Sequence, residues 1–337
     1  MNIEFHYYIT KILALEAGFE PDEAEIIAYS SQQVNDNNIA FKIMLDEDEE
    51  EIFETQISQI PDITNPKNEL LRISLLYHYI PGDPMSYKAK RRDGKMHFLM
   101  PSAASNNSLL VTNEATKRDN MFLIGIASHA FSDTFSHQNF IGTYDHTNSM
   151  ANSIDELVPK IGHEDVGIIP DIPNLIWDDT RMIDQLQEIN NAERTIYAAQ
   201  NLYKIFNLYT ASENNWFDVK PKLEDIIGEG KRNPKMEYLE EEKKQRIEKY
   251  IEWLSEFDSD EIYDKDKWFK EAVDYDIKKI RKRKKPFSPV KEILYPIDEF
   301  EFEETNWFEF HQAIKQYERM TTKLLSPILE QINIPNW

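Results

Sequence analysis

His129, Asp133 and His137 recur at four-residue intervals inside an apolar, helix-forming run. An α-helix turns about 100° per residue, so positions i, i+4 and i+8 drift by only about 80° and face one space. Neutral imidazole and carboxylate are ordinary ligands of divalent ions, and a chain without cysteine can build a zinc or similar site only from these. The spacing predicts one helix wall of a metal site. Of the eight histidines, His129, His137, His146 and His163 fall within 35 residues, interleaved with Asp133, Asp145, Glu164 and Asp165. A single histidine on an apolar face is more often a hydrogen-bonded core residue than a ligand, so the case rests on the set. No glycine-rich phosphate loop, strand-Ser-helix elbow or Cys/His pair competes as a catalytic centre. The adjacent His-Asp pair of nucleotide hydrolases is missing too, since Asp145 and His146 stand in reverse order.

The elements that must position these residues are mainly helical. With 337 residues, 41% of them hydrophobic, the chain can bury a substantial core. Few glycines and long runs of Leu, Ile, Ala, Glu and Lys favour an all-α fold. A net charge of −23 argues against general nucleic-acid binding and against anionic membranes. A locally held phosphate ester stays compatible, because bound metal ions dominate their own surroundings. No stretch approaches 18 uninterrupted apolar residues, and residues 1–8 do not read as a secretory signal, so no transmembrane segment and a cytoplasmic location are expected.

The periodicity predicts a first helix from His6 to Gly18, and a second opened by Pro21 and running to about Val34. Residues 46–51 are six consecutive acids, expected to form a solvated loop or helix edge, and the next 60 residues read as loop-rich with a short hairpin. A helix is expected from about Asn113 to His137, and another from a Thr180 cap to Tyr209. Residues 213–300 are charged and aromatic-rich, with helices at 234–257 and 264–284, and contain the only basic cluster, Lys278 to Lys285. The final helix starts near Thr305 and runs toward Pro327. The expected organisation is a helical metal-binding core (1–212), a charged helical insertion or subdomain (213–300) that could meet a protein partner, and a C-terminal helix (301–337) packed on the core.

Taken in chain order, His6, Asp36, His97, His129, Asp133, His137 and His163 resemble the ligand series of the bacterial zinc-dependent phospholipase C fold and its single-strand nuclease relatives. The segments Phe5–Tyr8, Ile27–Gln32, His97–Phe98, His129–Phe140, Gly162–His163 and Pro170–Pro173 look like an uncharacterised bacterial family of that superfamily. The resemblance covers mainly residues 1–205 and implies a helical fold enclosing one to three zinc ions, with manganese or another divalent ion as substitutes. It implies a first site of Asp36, His97, His129 and Asp133, with Asp36 binding metal or orienting the attacking hydroxide. It places His6 on another ion, with Asp133 bridging, and His137 and His163 on the remaining one. The chain departs from the pattern in three places. Five residues precede His6, where the phospholipases use a processed N-terminal tryptophan whose amino group binds metal. Asp133 and His137 are four apart rather than six. Gly167 stands where a carboxylate is expected, leaving Glu164, Asp165 or Asp171 to replace it.

The expected function is therefore metal-dependent hydrolysis of a phosphoric ester, a phosphodiester before a monoester, by metal-activated water. The alternative is a non-catalytic, metal-stabilised helical protein acting as an interaction module through residues 213–300. His78, His146 and His311 fall outside the ligand set, with His146 in reserve and His311 read as a packed or surface residue of the last helix.

Overall fold

The N-terminal apolar run folds as a π-helical segment, Glu4–Ile9, that passes directly into α1 (Thr10–Glu16). Gly18 ends it at a φ of +94°, a left-handed value open to glycine, and the chain turns there as the sequence predicts. α2 (Pro21–Asp36) has proline at its first position and Asp22 and Glu23 in its first turn, and the Glu23 carboxylate accepts from the Glu20 N–H at 3.1 Å. The computed structural model describes residues 1–45, 51–61, 71–150, 161–232, 236–277 and 294–332. The basic cluster Lys278–Lys285 and acids 46–50 lie outside the described residues.

The short helix α3 (Leu71–Ile73) leads into a second π-helical segment, Ser74–His78, in a region expected to be loop. The single helix expected between Asn113 and His137 is two, α4 (Asn106–Thr116) and α5 (Met121–Ser136). Asp119 adopts a left-handed φ of +54°, and the Asn120 side chain caps α5 by accepting from the Leu123 N–H at 2.9 Å. α6 (Asn191–Thr210) begins ten residues later than the Thr180 cap predicts. Ile189 is paired in a sheet instead, and Asn190 caps the helix through the Ala192 N–H at 3.0 Å.

The chain is mostly helical rather than purely α. β1 (Lys42–Met44) and β2 (Ile52–Glu54) pair antiparallel, with Ile43 opposite Phe53. β3 (Leu175–Asp178) lies between antiparallel β4 (Glu188–Asn190) and parallel β5 (Lys231–Arg232). The charged segment supplies α7 (Trp216–Ile227), α8 (Met236–Ser255) and α9 (Lys267–Ala272). Of the helix expected over 264–284, the described residues form α9 and then a bridge from Val273 to Pro296, and residues 278–284 lie outside the described residues. This segment closes onto the N-terminal helices: Arg246 makes a bidentate pair with buried Glu4 at 2.6 and 2.9 Å, and the Tyr29 hydroxyl donates to the Asp264 carbonyl at 2.7 Å. Trp253, Leu254 and Trp268 belong to the same buried cluster as Phe5, Ile12, Ile27 and Phe131. The last helix, α10 (Asn306–Ile332), buries Trp307, Phe310, Ile314 and Tyr317 and continues through Pro327.

α5 is the axis of the molecule, packed by α2, α4, α6 and α10. Its contact with α2 is tight at Gly125, where an added Cβ would stand 2.3 Å from the Ile27 carbonyl oxygen. Only glycine permits that approach.

Candidate metal centre

α5 carries His129, Asp133 and His137 into the interior, all at 5% exposure or less. The His129 ring is fixed by an Nδ1–H donated to the Ser31 carbonyl on α2 at 2.7 Å. His78, at the end of the second π-helical segment, donates its Nε2–H to the Ser58 carbonyl at 3.0 Å. A carbonyl oxygen only accepts, so each facing nitrogen carries the proton and, in a neutral ring, the other carries a lone pair. Those two lone-pair atoms, His129 Nε2 and His78 Nδ1, lie 3.2 Å apart, and each is 3.2 Å from Asp133 Oδ2. Three acceptors facing one another without a proton repel, and a cation between them relieves the conflict. His6, on the first π-helical segment, points Nε2 at the Met1 carbonyl at 3.0 Å, so that nitrogen carries the proton; it lies 3.1 Å from the other oxygen of Asp133, and the ring stacks on His129 with centroids 3.9 Å apart.

A second group repeats the device. His137 donates Nδ1–H to the His78 carbonyl at 2.8 Å, and His163 donates Nδ1–H to the Gly167 carbonyl at 2.7 Å. Their free Nε2 atoms face the two oxygens of Asp171 at 3.6 and 3.5 Å. Carbonyl-anchored imidazoles of this kind are what orients histidine ligands around a metal. In His6/His129/Asp133, and again in His137/His163/Asp171, one donor atom per residue lies within 4.8 Å of the others, so each group could hold a metal ion.

The protonation states suit ligation. Burial holds the imidazoles of His6 and His137 below the usual range, and that of His129 well below it, against the pull of Asp133. Burial opposes ionisation of Asp133, but the surrounding imidazoles and the Met1 α-amino group outweigh it and hold the carboxyl well below its usual range. Asp171 shows the same balance, with the Met1 amino group its strongest stabiliser. That amino group bonds to Asp133 and, at 2.9 Å, to Ser136 Oγ, and it stands 3.0 Å from Asp171 Oδ1.

Five of the seven residues singled out in the sequence, His6, His129, Asp133, His137 and His163, come together. Asp36 and His97 join neither group. The Asp36 carboxylate, at the end of α2, accepts from Gln32 Nε2 at 3.1 Å and from the Tyr263 hydroxyl at 2.9 Å. His97 sits half-buried in a turn, its Nδ1 accepting from the Leu99 N–H at 3.1 Å and its Nε2 3.8 Å from Asp145. Of the three acids named as substitutes for the carboxylate at Gly167, Asp171 faces His163 at 3.5 Å, while Asp165 accepts from the Met150 N–H at 2.7 Å. His78 is the residue that sequence reasoning passed over. Its signal was a lone imidazole in the apolar run Leu75 to Ile80. His146 lies beside Tyr144, and His311 is packed between Trp307 and Phe310.

Residues 1–325 match the family model described as "Family of unknown function (DUF6765)". The chain belongs to that family. Both His/Asp groups of this DUF6765 member lie inside the matched span. No curated protein and no solved structure matches the chain. Among the described residues no helix is long and apolar enough to cross a membrane.

Proposed function

We propose that the two His/Asp groups bind divalent metal ions, zinc first among them, and that the protein hydrolyses a phosphoric ester, a phosphodiester before a monoester. The observation that carries this reading is the convergence of carbonyl-anchored imidazoles on Asp133 and on Asp171. His78, His129 and Asp133 would hold one ion, joined by His6 if its Nε2 gives up the Met1 carbonyl, and His137, His163 and Asp171 the other. All-nitrogen-and-oxygen donor sets of neutral imidazole and ionised carboxylate suit zinc or manganese. Bound there, such ions would polarise a phosphoryl oxygen and activate water at neutral pH.

The chain's own part is orientation. The carbonyls of Ser31, Ser58, His78 and Gly167 fix four imidazole rings, and burial keeps competing water away from the first group. Asp133 links the groups, its Oδ2 lying 3.2 Å from His129 and 3.7 Å from His137. Asp36, engaged by Tyr263, receives no catalytic role in this reading.

The test is metal analysis by mass spectrometry on the full chain and on His129→Ala/Asp133→Ala, with turnover of bis(p-nitrophenyl) phosphate measured in parallel. Metal and turnover present in the parent and lost together in a folded variant support the reading. Metal retained with no turnover of any phosphoester supports the non-catalytic alternative, which the complete burial of His6 and His129 favours.

A further inference from the structure

Arg194, in the first turn of α6, makes no hydrogen bond or ion pair among the described residues, and its Nη1 is sealed from solvent without a partner. The acid whose charge reaches it, Asp179, is already committed: Arg181 donates to its two oxygens at 2.8 and 2.7 Å. Burial pulls the Arg194 guanidinium down to about 10, which still leaves it cationic at neutral pH. A half-buried cation with a sealed, unpartnered N–H group, whose nearest acid is held by another arginine, is costly to a fold. The arrangement becomes favourable when an anion arrives.

The surroundings say where the anion would sit. Arg194 lines a cavity of about 460 Å³ together with Lys88, Gln138, Asn139, Asn190 and Tyr197. Of the acids on that wall, Glu188 is paired with Arg232, and Glu193 is exposed and accepts from the Asn190 amide. The N-terminal end of the 20-residue helix α6 opens on the same space and adds its positive dipole end. On its other side Arg194 borders a small cleft shared with Ser136 and Asp171. Arg194 thus borders both the open cavity and the cleft that Asp171 lines.

We propose that Arg194 binds a phosphate group of the substrate, seated in this cavity beside the Asp171 group. The assignment rests on the hydrolase reading for the word substrate, and on Arg194 and its cavity alone for the anion. A guanidinium offers two parallel N–H donors to a phosphate, a match that a lysine ammonium lacks.

The experiment titrates inorganic phosphate, and separately acetate, into the full chain and into Arg194→Met and Arg194→Lys by calorimetry, with melting temperature and metal content recorded for each. Phosphate affinity should fall at least tenfold in Arg194→Met and by a smaller factor in Arg194→Lys, with metal content unchanged. In phosphate-free buffer Arg194→Met should melt above the parent, because it removes the uncompensated charge. Equal phosphate affinity in parent and variants overturns the proposal, as does phosphate binding that vanishes on chelation and ignores residue 194. Acetate binding as tightly as phosphate, with the same dependence on Arg194, overturns the choice of phosphate. Should Arg194→Met not fold, Arg194→Lys decides alone, and unchanged affinity there is the refuting result. An Arg194-dependent phosphate site on a chain that takes up no metal would remove the hydrolase reading and leave this one standing. Normal metal content with indifference to residue 194 would do the reverse.

Discussion

Gly125→Ala tests whether the seam between α2 and α5 controls both fold and site. A Cβ at this position would lie 2.3 Å from the Ile27 carbonyl oxygen and 2.7 Å from Ser30 Cβ, where ordinary contacts begin near 3.4 Å. The deficit is about 1 Å, and the closest atom is backbone, so no side-chain rotation relieves it. Helix propensity pulls the other way, favouring alanine by about 1 kcal/mol. Overpacking of this kind costs about 1–3 kcal/mol and more where backbones must part. The clash wins, and we expect net destabilisation of about 2 kcal/mol in urea unfolding. The same separation lengthens the bond from His129 Nδ1 to the Ser31 carbonyl, one turn along the seam. Loss of such an anchoring bond typically costs 10–100-fold in metal affinity, measurable by chelator competition. A Gly125→Ala protein as stable as the parent would refute the reasoning about the seam, and unchanged metal affinity would sever its link to the site.

Asp171→Ala should remove the ion of the His137/His163 group while leaving the His129/Asp133 group loaded, so metal content should fall by about half; complete loss or full retention contradicts two separable groups. Arg246→Ala strands the fully buried Glu4 carboxylate and should cost about 3–5 kcal/mol, whereas Arg246→Met/Glu4→Leu should recover most of it in the same denaturation assay. His311 is held down to about 3 by burial, with Lys315 adding to the effect, against 6.5 for a free imidazole. The unfolded chain therefore binds the proton first, and stability is lost as pH falls from 6.5 toward 3. Between pH 6.5 and 5 the parent should lose about 2 kcal/mol more than His311→Leu, and equal losses would count against this group.

The legible parts of the molecule are those governed by neighbours in sequence. Gly18, Pro21 and the apolar spacing of residues 6–34 announce α1 and α2, because turns and caps are decided within a few residues. The row His129, Asp133, His137 was legible for the same reason, and even its drift of about 80° has a structural counterpart. His129 turns its free nitrogen to Asp133, while His137 has rotated far enough to face Asp171. Long-range capture was invisible. Asp36 is taken by Tyr263, 227 residues away, so a carboxylate of the right type in the right order sits outside both groups. His78 and His97 look alike in the sequence, and packing under α5 rather than local pattern decides which enters. The short hairpin expected after the acidic run instead pairs strands on either side of it, and the three-stranded sheet escaped because strands of two to four residues carry too little alternation to be read.

The two π-helical segments, Glu4–Ile9 and Ser74–His78, carry His6 and His78. A π turn is an α-helix holding one surplus residue, so the imidazole's angular phase is uncoupled from that of the apolar stripe around it. Deleting one residue from either turn would swing the histidine by about 100° while the flanking core contacts stay in register. The ligand set can therefore be gained or lost by a single-codon insertion or deletion, with every histidine and aspartate still spelled out in the gene. The proposed metal centre would depend on the lengths of these two turns as much as on the identity of its ligands.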